Sequence, residues 1–249
     1  MDTASGKLAI TSEEKPVITR MPTPRRWNEP AMKDDDLGHH VAAELSWDPQ
    51  VGSETIEVSA ASGIVTLRGS VTSFRLKRAG GRAAARVRGV TRVANELRVH
   101  IPDKDRRDDE DLRGDVLEAL MLDVSVPMTV DAQARDGFVT LTGTAQWHYQ
   151  REAAELRAAS VPGVAGIDNT ITLTQTPDAR EARDAIRAAF RRDAALEPDG
   201  LSVQTSSDGL VILSGTVSSW AAHDHVVTAA WSAPGVTRVD DRIRVESRP

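Results

Sequence analysis

A chain that repeats itself must build its fold from whatever one repeat can form, and this sequence contains three copies of one pattern. The segments Gly63-Ile-Val-Thr-Leu-Arg-Gly69, Gly137-Phe-Val-Thr-Leu-Thr-Gly143 and Gly209-Leu-Val-Ile-Leu-Ser-Gly215 align directly, their first glycines 74 and then 72 residues apart. From the second glycine each copy runs a further 20 residues to a Gly-Val pair: Gly89-Val90, Gly163-Val164 and Gly235-Val236. An alternating run follows each pair: Val93/Asn95/Leu97/Val99, Ile167/Asn169/Ile171/Leu173 and Val239/Asp241/Ile243/Val245. Upstream lie the apolar sets Leu37/Val41/Leu45, Leu112/Val116/Leu120 and Ala182/Ile186/Phe190, at the spacing of one helical face.

Each copy reads as helix–strand–strand–helix–strand. The i, i+4, i+8 set predicts an amphipathic helix, opened in the first copy by Asp34-Asp35-Asp36, whose charge suits a helix N-terminus. Ile56-Glu-Val58, Met128-Thr-Val130 and Leu201-Ser-Val203 alternate as half-buried strands. Ser62-Gly63, Asp136-Gly137 and Asp208-Gly209 supply hairpin turns into the Val-Thr-Leu type strand. A second helix of about 15 residues is then stopped by the Gly-Val landmark before the last strand. The expected fold class is α+β: three tandem αββαβ units, each a small three-stranded mixed sheet with two helices on one face. The units fall at 34–102, 109–176 and 178–249, after a tail at 1–33. That tail holds Pro16, Pro22, Pro24 and Pro30, sustains no period and is expected to be disordered.

With these landmarks the unit resembles the BON (bacterial OsmY and nodulation) domain family, whose pattern includes Ile-x-Val, Gly-x-Val-x-Leu-x-Gly and Gly-Val-x-x-Val-x-Asn-x-Leu. The resemblance covers residues 34–101, 109–174 and 178–246. It implies the αββαβ fold and a non-enzymatic module associated with phospholipid binding and with osmotic or envelope stress. It also implies that many relatives carry a signal peptide and work in the periplasm. The third copy departs most, with Asp241 where the others have Asn95 and Asn169, and Ala182 where they have leucine.

The chain has no cysteine, which excludes disulfides, thiolate catalysis and Cys-ligated metal centres. No signal-peptide core and no apolar run of transmembrane length is present, so a cytoplasmic location is expected, peripheral to the inner membrane. No Gly-x-Ser-x-Gly, phosphate-loop or His-Glu-x-x-His motif occurs. Neither adjacent His39-His40 nor the His223/His225 pair has the i, i+4 spacing of a helix-borne chelate. The reading is therefore of a chain with no catalytic residue, no metal site and no cofactor.

The net charge of −6 conceals a contrast between units. Residues 109–174 hold four basic against eleven acidic residues, whereas the second helix of unit one, Phe74 to Arg88, has six basic residues and no acid. At ~100° per residue, Arg75, Arg78, Arg82 and Arg86 share an arc of about 80°. Leu76, Ala83 and Val87 are expected to face the sheet, Gly80 and Ala84 to allow close approach. Arginine binds phosphate bidentately, so this ridge, with Phe74 as an apolar anchor, is the candidate phospholipid head-group site. About 1 kcal/mol per basic residue gives roughly 4 kcal/mol, near-millimolar binding, so apolar insertion or avidity is also required. The alternative is a solvated face partly paired with acids of a neighbouring unit. Trp47, Trp147, Trp220 and Trp231 are placed either at a lipid interface or in packing within and between units. Partners are thus an anionic phospholipid surface or, in the alternative, protein clients of an interaction scaffold or chaperone-like stress protein. The acidic units argue against nucleic acid.

Overall fold

The computed structural model describes residues 33–51, 56–174, 178–193, 196 and 200–246. The expected tail, Lys33 apart, and the 175–177 connection lie outside them. Unit one contains α1 (Asp34–Trp47), β1 (Ile56–Ala61), β2 (Ile64–Val71), α2 (Phe74–Arg86), β3 (Arg92–Asn95) and β4 (Arg98–Val99). Unit two follows a 3-10 turn (Asp103–Asp105) with α3 (Asp109–Met121), β5 (Asp131–Arg135), β6 (Phe138–Thr142), β7 (Thr144–Ala145), α4 (His148–Ser160), β8 (Gly166–Asn169) and β9 (Thr172–Leu173). Unit three has α5 (Ala179–Arg192), β10 (Leu201–Thr205), β11 (Leu210–Val217), α6 (Trp220–Trp231) and β12 (Arg238–Val245). The α+β class and the αββαβ order expected from the repeat are the ones found.

In every unit the hairpin is antiparallel and the last strand pairs parallel to the hairpin's second strand, so that strand is central. Ile56 stands opposite Gly69, and Val65 opposite Val93. The first helices bury their predicted stripes in full, down to 0% exposure at Val41, Val116 and Ile186. Asp108 caps α3 by accepting the Asp111 N–H at 2.8 Å, and Asp178 caps α5. Both helices of a unit pack on one sheet face, where Val65 and Leu67, Val139 and Leu141, and Val211 and Leu213 are buried. The second helices meet that face through small residues: Ala79, Gly80, Ala83 and Ala84 in α2, and Ala154, Ala158 and Ala159 in α4.

Hairpin chemistry sets the register. Ser62-Gly63 and Asp136-Gly137 both adopt positive φ at their two positions, the geometry of a two-residue I′ turn. One expectation is corrected. The repeat pattern matches Met128-Thr129-Val130 to Ile56–Val58, but Val130 takes the place of Ile56, one step beyond the Asp131–Thr142 pair and so opposite Gly143. Met128 therefore lies before the strand, 102% exposed. A two-residue slip preserves alternation, so periodicity cannot detect it.

The units close on one another through the first residue of each second helix. Phe74, His148 and Trp220 all stand five positions after the second glycine of their repeat. The Phe74 N–H donates to the Val164 carbonyl at 3.3 Å while its ring packs against the core of unit two. His148 of unit two stacks on Trp231 of unit three, centroids 3.8 Å apart and planes within 9°. Trp220 of unit three packs against the core of unit one. Contacts one-to-two, two-to-three and three-to-one run head to tail and close into a ring.

The second glycine of each repeat is a backbone requirement. Gly143 has φ +115°, and a Cβ there would lie 2.1 Å from the Thr129 carbonyl oxygen. Gly114, on the open face of α3, has nothing within 4 Å of such an atom. Gly143→Ala is expected to destabilise unit two by at least about 2 kcal/mol. Gly114→Ala should stabilise it by roughly 0.5–1 kcal/mol, both read by urea denaturation.

Candidate functional site

The α2 helix starts at Ser73, whose side chain accepts the Leu76 N–H at 3.2 Å, and carries its arginines away from the buried alanine and glycine face. The structure divides the predicted ridge. Arg78 forms an ion pair at 3.1 Å with Glu155 on α4 of unit two, and both side chains are about 30% exposed. Arg86 donates to Glu44 at 3.0 Å and to Asp48 at 2.6 Å, tying the end of α2 to the end of α1. Phe74 is half-buried in the junction with unit two, where its ring packs on that unit's core. Arg75 and Arg82 are exposed and make no ion pair with a described residue.

Asp48 and Arg86 reinforce one another electrostatically. The Arg86 hydrogen bond, then the Gln50 N–H, hold the Asp48 carboxyl below the ordinary carboxylate range. The bonds from Arg86 to Asp48 and Glu44 push the guanidinium further up. The charge of Arg82 also reaches Asp48, so the free and paired arginines share one corner of the unit. Next to Asp48 in the chain, Trp47 ends α1 with 83% of its surface exposed. It lines a shallow open groove with His40, Ala43, Glu44, Val87 and Arg88. An exposed indole beside a cationic helix end is suited to a phosphate-bearing surface with an apolar interior.

The four tryptophans near helix ends fall into different places. Trp47 is at solvent, Trp147 is half-buried, and Trp220 and Trp231 lie between units. Arg151 adds a cation–π contact 5.0 Å above the Trp231 ring.

Unit two presents a second exposed apolar element that sequence reasoning missed. Met121, Leu122, Val124 and Met128 are 80%, 79%, 104% and 102% exposed around the turn that follows α3. The turn is held by its own hydrogen bonds. Asp123 accepts from the Ser125 N–H at 2.9 Å and from Arg157 Nε at 2.6 Å, and Thr129 Oγ1 donates to the Thr144 carbonyl at 2.6 Å. The available signal was the run Met121-Leu122-Asp-Val124 continuing past the last core position, Leu120. Unit three has Arg191-Arg192 at the corresponding place.

Among the described residues, no group of three His, Asp or Glu side chains is placed to hold a metal ion, and no helix is long and apolar enough to cross a membrane.

The BON domain profile matches residues 33–100, 108–175 and 178–247. A curated relative is the osmotically-inducible protein Y of Escherichia coli (strain K12), 30% identical over 147 residues, which span 56% of this chain and 72% of that one. Among solved structures, CdsD, a structural protein of the type III secretion system of Chlamydia trachomatis, is similar at 15% identity over 84% of this chain and 91% of that one, with a TM-score of 0.22. Its C-terminal domain gives 14% identity, 86% and 100% coverage, and a TM-score of 0.23.

The Asp123 carboxyl is lowered to about 2, first by the Ser125 hydroxyl, then by Arg157 and the Ser125 N–H. A depressed carboxylate stabilises the fold above its unfolded value of about 3.9 and loses that contribution as pH falls through its folded value. Carboxyl NMR of unit two should therefore show Asp123 titrating near 2, and acid unfolding should shift to higher pH in Asp123→Asn. An Asp123 midpoint near 4 would contradict the assigned contacts.

Proposed function

The chain belongs to the BON domain family, in three consecutive copies, and from that premise we propose that it is a non-enzymatic protein of osmotic or envelope stress that docks on anionic phospholipid through unit one. The observation that carries the reading is the exposed Arg82 on α2 near exposed Trp47 at the end of α1, with Arg75 exposed on the same helix at its opposite end. The similarity to an osmotically-inducible protein supports the stress context. The cytoplasmic location is part of the proposal: the inner leaflet of the inner membrane is the anionic surface the site would meet, and cell fractionation reads this directly.

The energetics set the kind of binding. Two arginines near an anionic surface contribute about 2 kcal/mol, and inserting the Trp47 ring about 2–3 kcal/mol more. The sum corresponds to a Kd near one millimolar for a single contact. Useful residence on a membrane then comes from several contacts made together, and the apolar turn of unit two is a second such element.

A second reading is an interaction scaffold without direct lipid binding. It is favoured by the same turn in unit two, where rigidly held Met121, Leu122, Val124 and Met128 stand on a unit with a charge of −7. Such a surface suits a cationic amphipathic protein segment.

Vesicle flotation separates the two. The full chain should float with phosphatidylglycerol or cardiolipin vesicles, remain behind with phosphatidylcholine, and lose binding on raising salt. Arg75→Glu/Arg82→Glu should abolish flotation, and Trp47→Ala should weaken it by roughly tenfold or more. No flotation, or flotation indifferent to the double arginine change, contradicts the lipid reading. A stoichiometric protein partner lost on Met121→Ser/Met128→Ser would then support the scaffold.

A further inference from the structure

Two contacts fasten the second helix in every unit, and both change chemistry in unit three. The first ties the helix to the last strand. The Asn95 amide donates to the Lys77 carbonyl at 2.7 Å and accepts from the Leu97 N–H. The Asn169 amide likewise donates to the Arg151 carbonyl at 3.0 Å and accepts from the Ile171 N–H. At the corresponding place Asp241 still accepts the Ile243 N–H at 3.0 Å, but a carboxylate has no donor for a helix carbonyl. Residue 223, the counterpart of Lys77 and Arg151, is a histidine, and its Nε2 meets Asp241 Oδ2 at 2.7 Å. The second contact ties the helix to the residue just beyond the first helix. Asp48 holds Arg86 and Asp123 holds Arg157, while Asp193 holds His225, at 2.8 Å.

We propose that unit three is the pH-responsive member of the ring. Its α6 is held by two histidine–carboxylate latches: Asp241 takes the place of Asn95 and Asn169, and Asp193, the counterpart of Asp48 and Asp123, meets His225, nearer the helix start than the arginines those acids hold. Amides and arginines do not change state between pH 5 and 8. Histidine is the side chain whose ordinary charge change falls in that range. With a charged imidazole each latch is a charge-assisted pair, roughly twice as strong as the neutral hydrogen bond that remains when the proton leaves. The latches therefore hold hardest at mildly acidic pH and loosen toward pH 8.

The surroundings of the buried latch are mixed. His223 is 8% exposed, with Asp224 Oδ1 3.5 Å from its Nδ1 and the edge of Trp220 at 4.5 Å between centroids. From β12 come Asp241 and the Asp240–Arg242 pair, which is engaged internally at 2.6 Å. The end of α5 brings Arg191 and Arg192 besides Asp193, and β11 carries no charged residue. From unit two, His148 and Arg151 reach Trp231 at the far end of α6. The α2 helix of unit one, packed against α6, carries only cations among its charged residues (Arg75, Lys77, Arg78, Arg82 and Arg86). Because α6 also carries Trp220 into unit one, loosening these latches weakens the contact that closes the ring.

Amide hydrogen exchange on the full chain tests this at pH 5.5 and pH 8.0, with protection corrected for the intrinsic pH dependence. Protection in α6 and β12 should fall by about fivefold or more on going to pH 8.0, while α2 and α4 change by less than about twofold. His223→Lys/Asp241→Asn, which installs unit one's residues at the first latch, combined with His225→Arg, which puts a permanent charge at the second, should keep α6 protected at both pH values. His225→Arg alone, at the more exposed latch, should remove part of the difference. Unchanged α6 protection in the unmodified chain, or an equal loss in all three units, overturns the proposal.

Discussion

The structure depends on one packing event made three times: the side chain that opens each second helix enters the next unit. A unit of about 70 residues buries only ~60% of the surface its unfolded chain exposes, which leaves an isolated copy marginal. Phe74, His148 and Trp220 supply what the units lack, each placed by the same five-residue step from a strand-ending glycine. The contacts are chemically unlike, a half-buried phenyl, a stacked imidazole and a half-buried indole, yet they run in one sense and close. Closure matters because an open head-to-tail array leaves one donor face and one acceptor face uncovered.

Ring closure also decides which charges remain for function. The α2 helix is at once the most cationic element and a wall of two junctions. Glu155 from unit two takes Arg78, and the unit's own Glu44 and Asp48 take Arg86. What faces outward is Arg75 at the start of α2 and Arg82 in its later half, with Trp47 near the helix end. The two apolar tips of units one and two and the arginines of unit three fall at corresponding places, so one side of the ring differs in kind from the remainder. The histidine latches lie on the third unit alone and act on the Trp220 contact that completes the circuit.

Much of this was legible in the residues. The stripes Leu37/Val41/Leu45, Leu112/Val116/Leu120 and Ala182/Ile186/Phe190 are the buried faces of the first helices, because a four-residue apolar period has one structural meaning at that length. The glycines that end strands and helices were equally direct, since positive φ leaves few other residues. The register of β5 was not legible. Met128 and Val130 fit the alternation equally well, and only the backbone crowding at Gly143 separates them. The ridge was read correctly as a helix face, but its division was invisible. Glu155 is 77 residues from Arg78, and nothing in a helical period reports which acid a neighbouring unit will supply. Phe74 looked like an anchor for the same reason: a phenyl at the start of an exposed helix has no apolar neighbour until unit two is placed beside it.

The ring itself is open to direct measurement, because a chain without cysteine accepts labels at chosen positions only. Arg98, Thr172 and Arg244 are exposed and occupy the same place in the last strand of each repeat. Spin labels on cysteines introduced pairwise at these positions give three inter-unit distances by pulsed dipolar spectroscopy. Closure predicts three similar, narrow distributions. A distance between units one and three well above the other two would describe an open array, and would contradict the account.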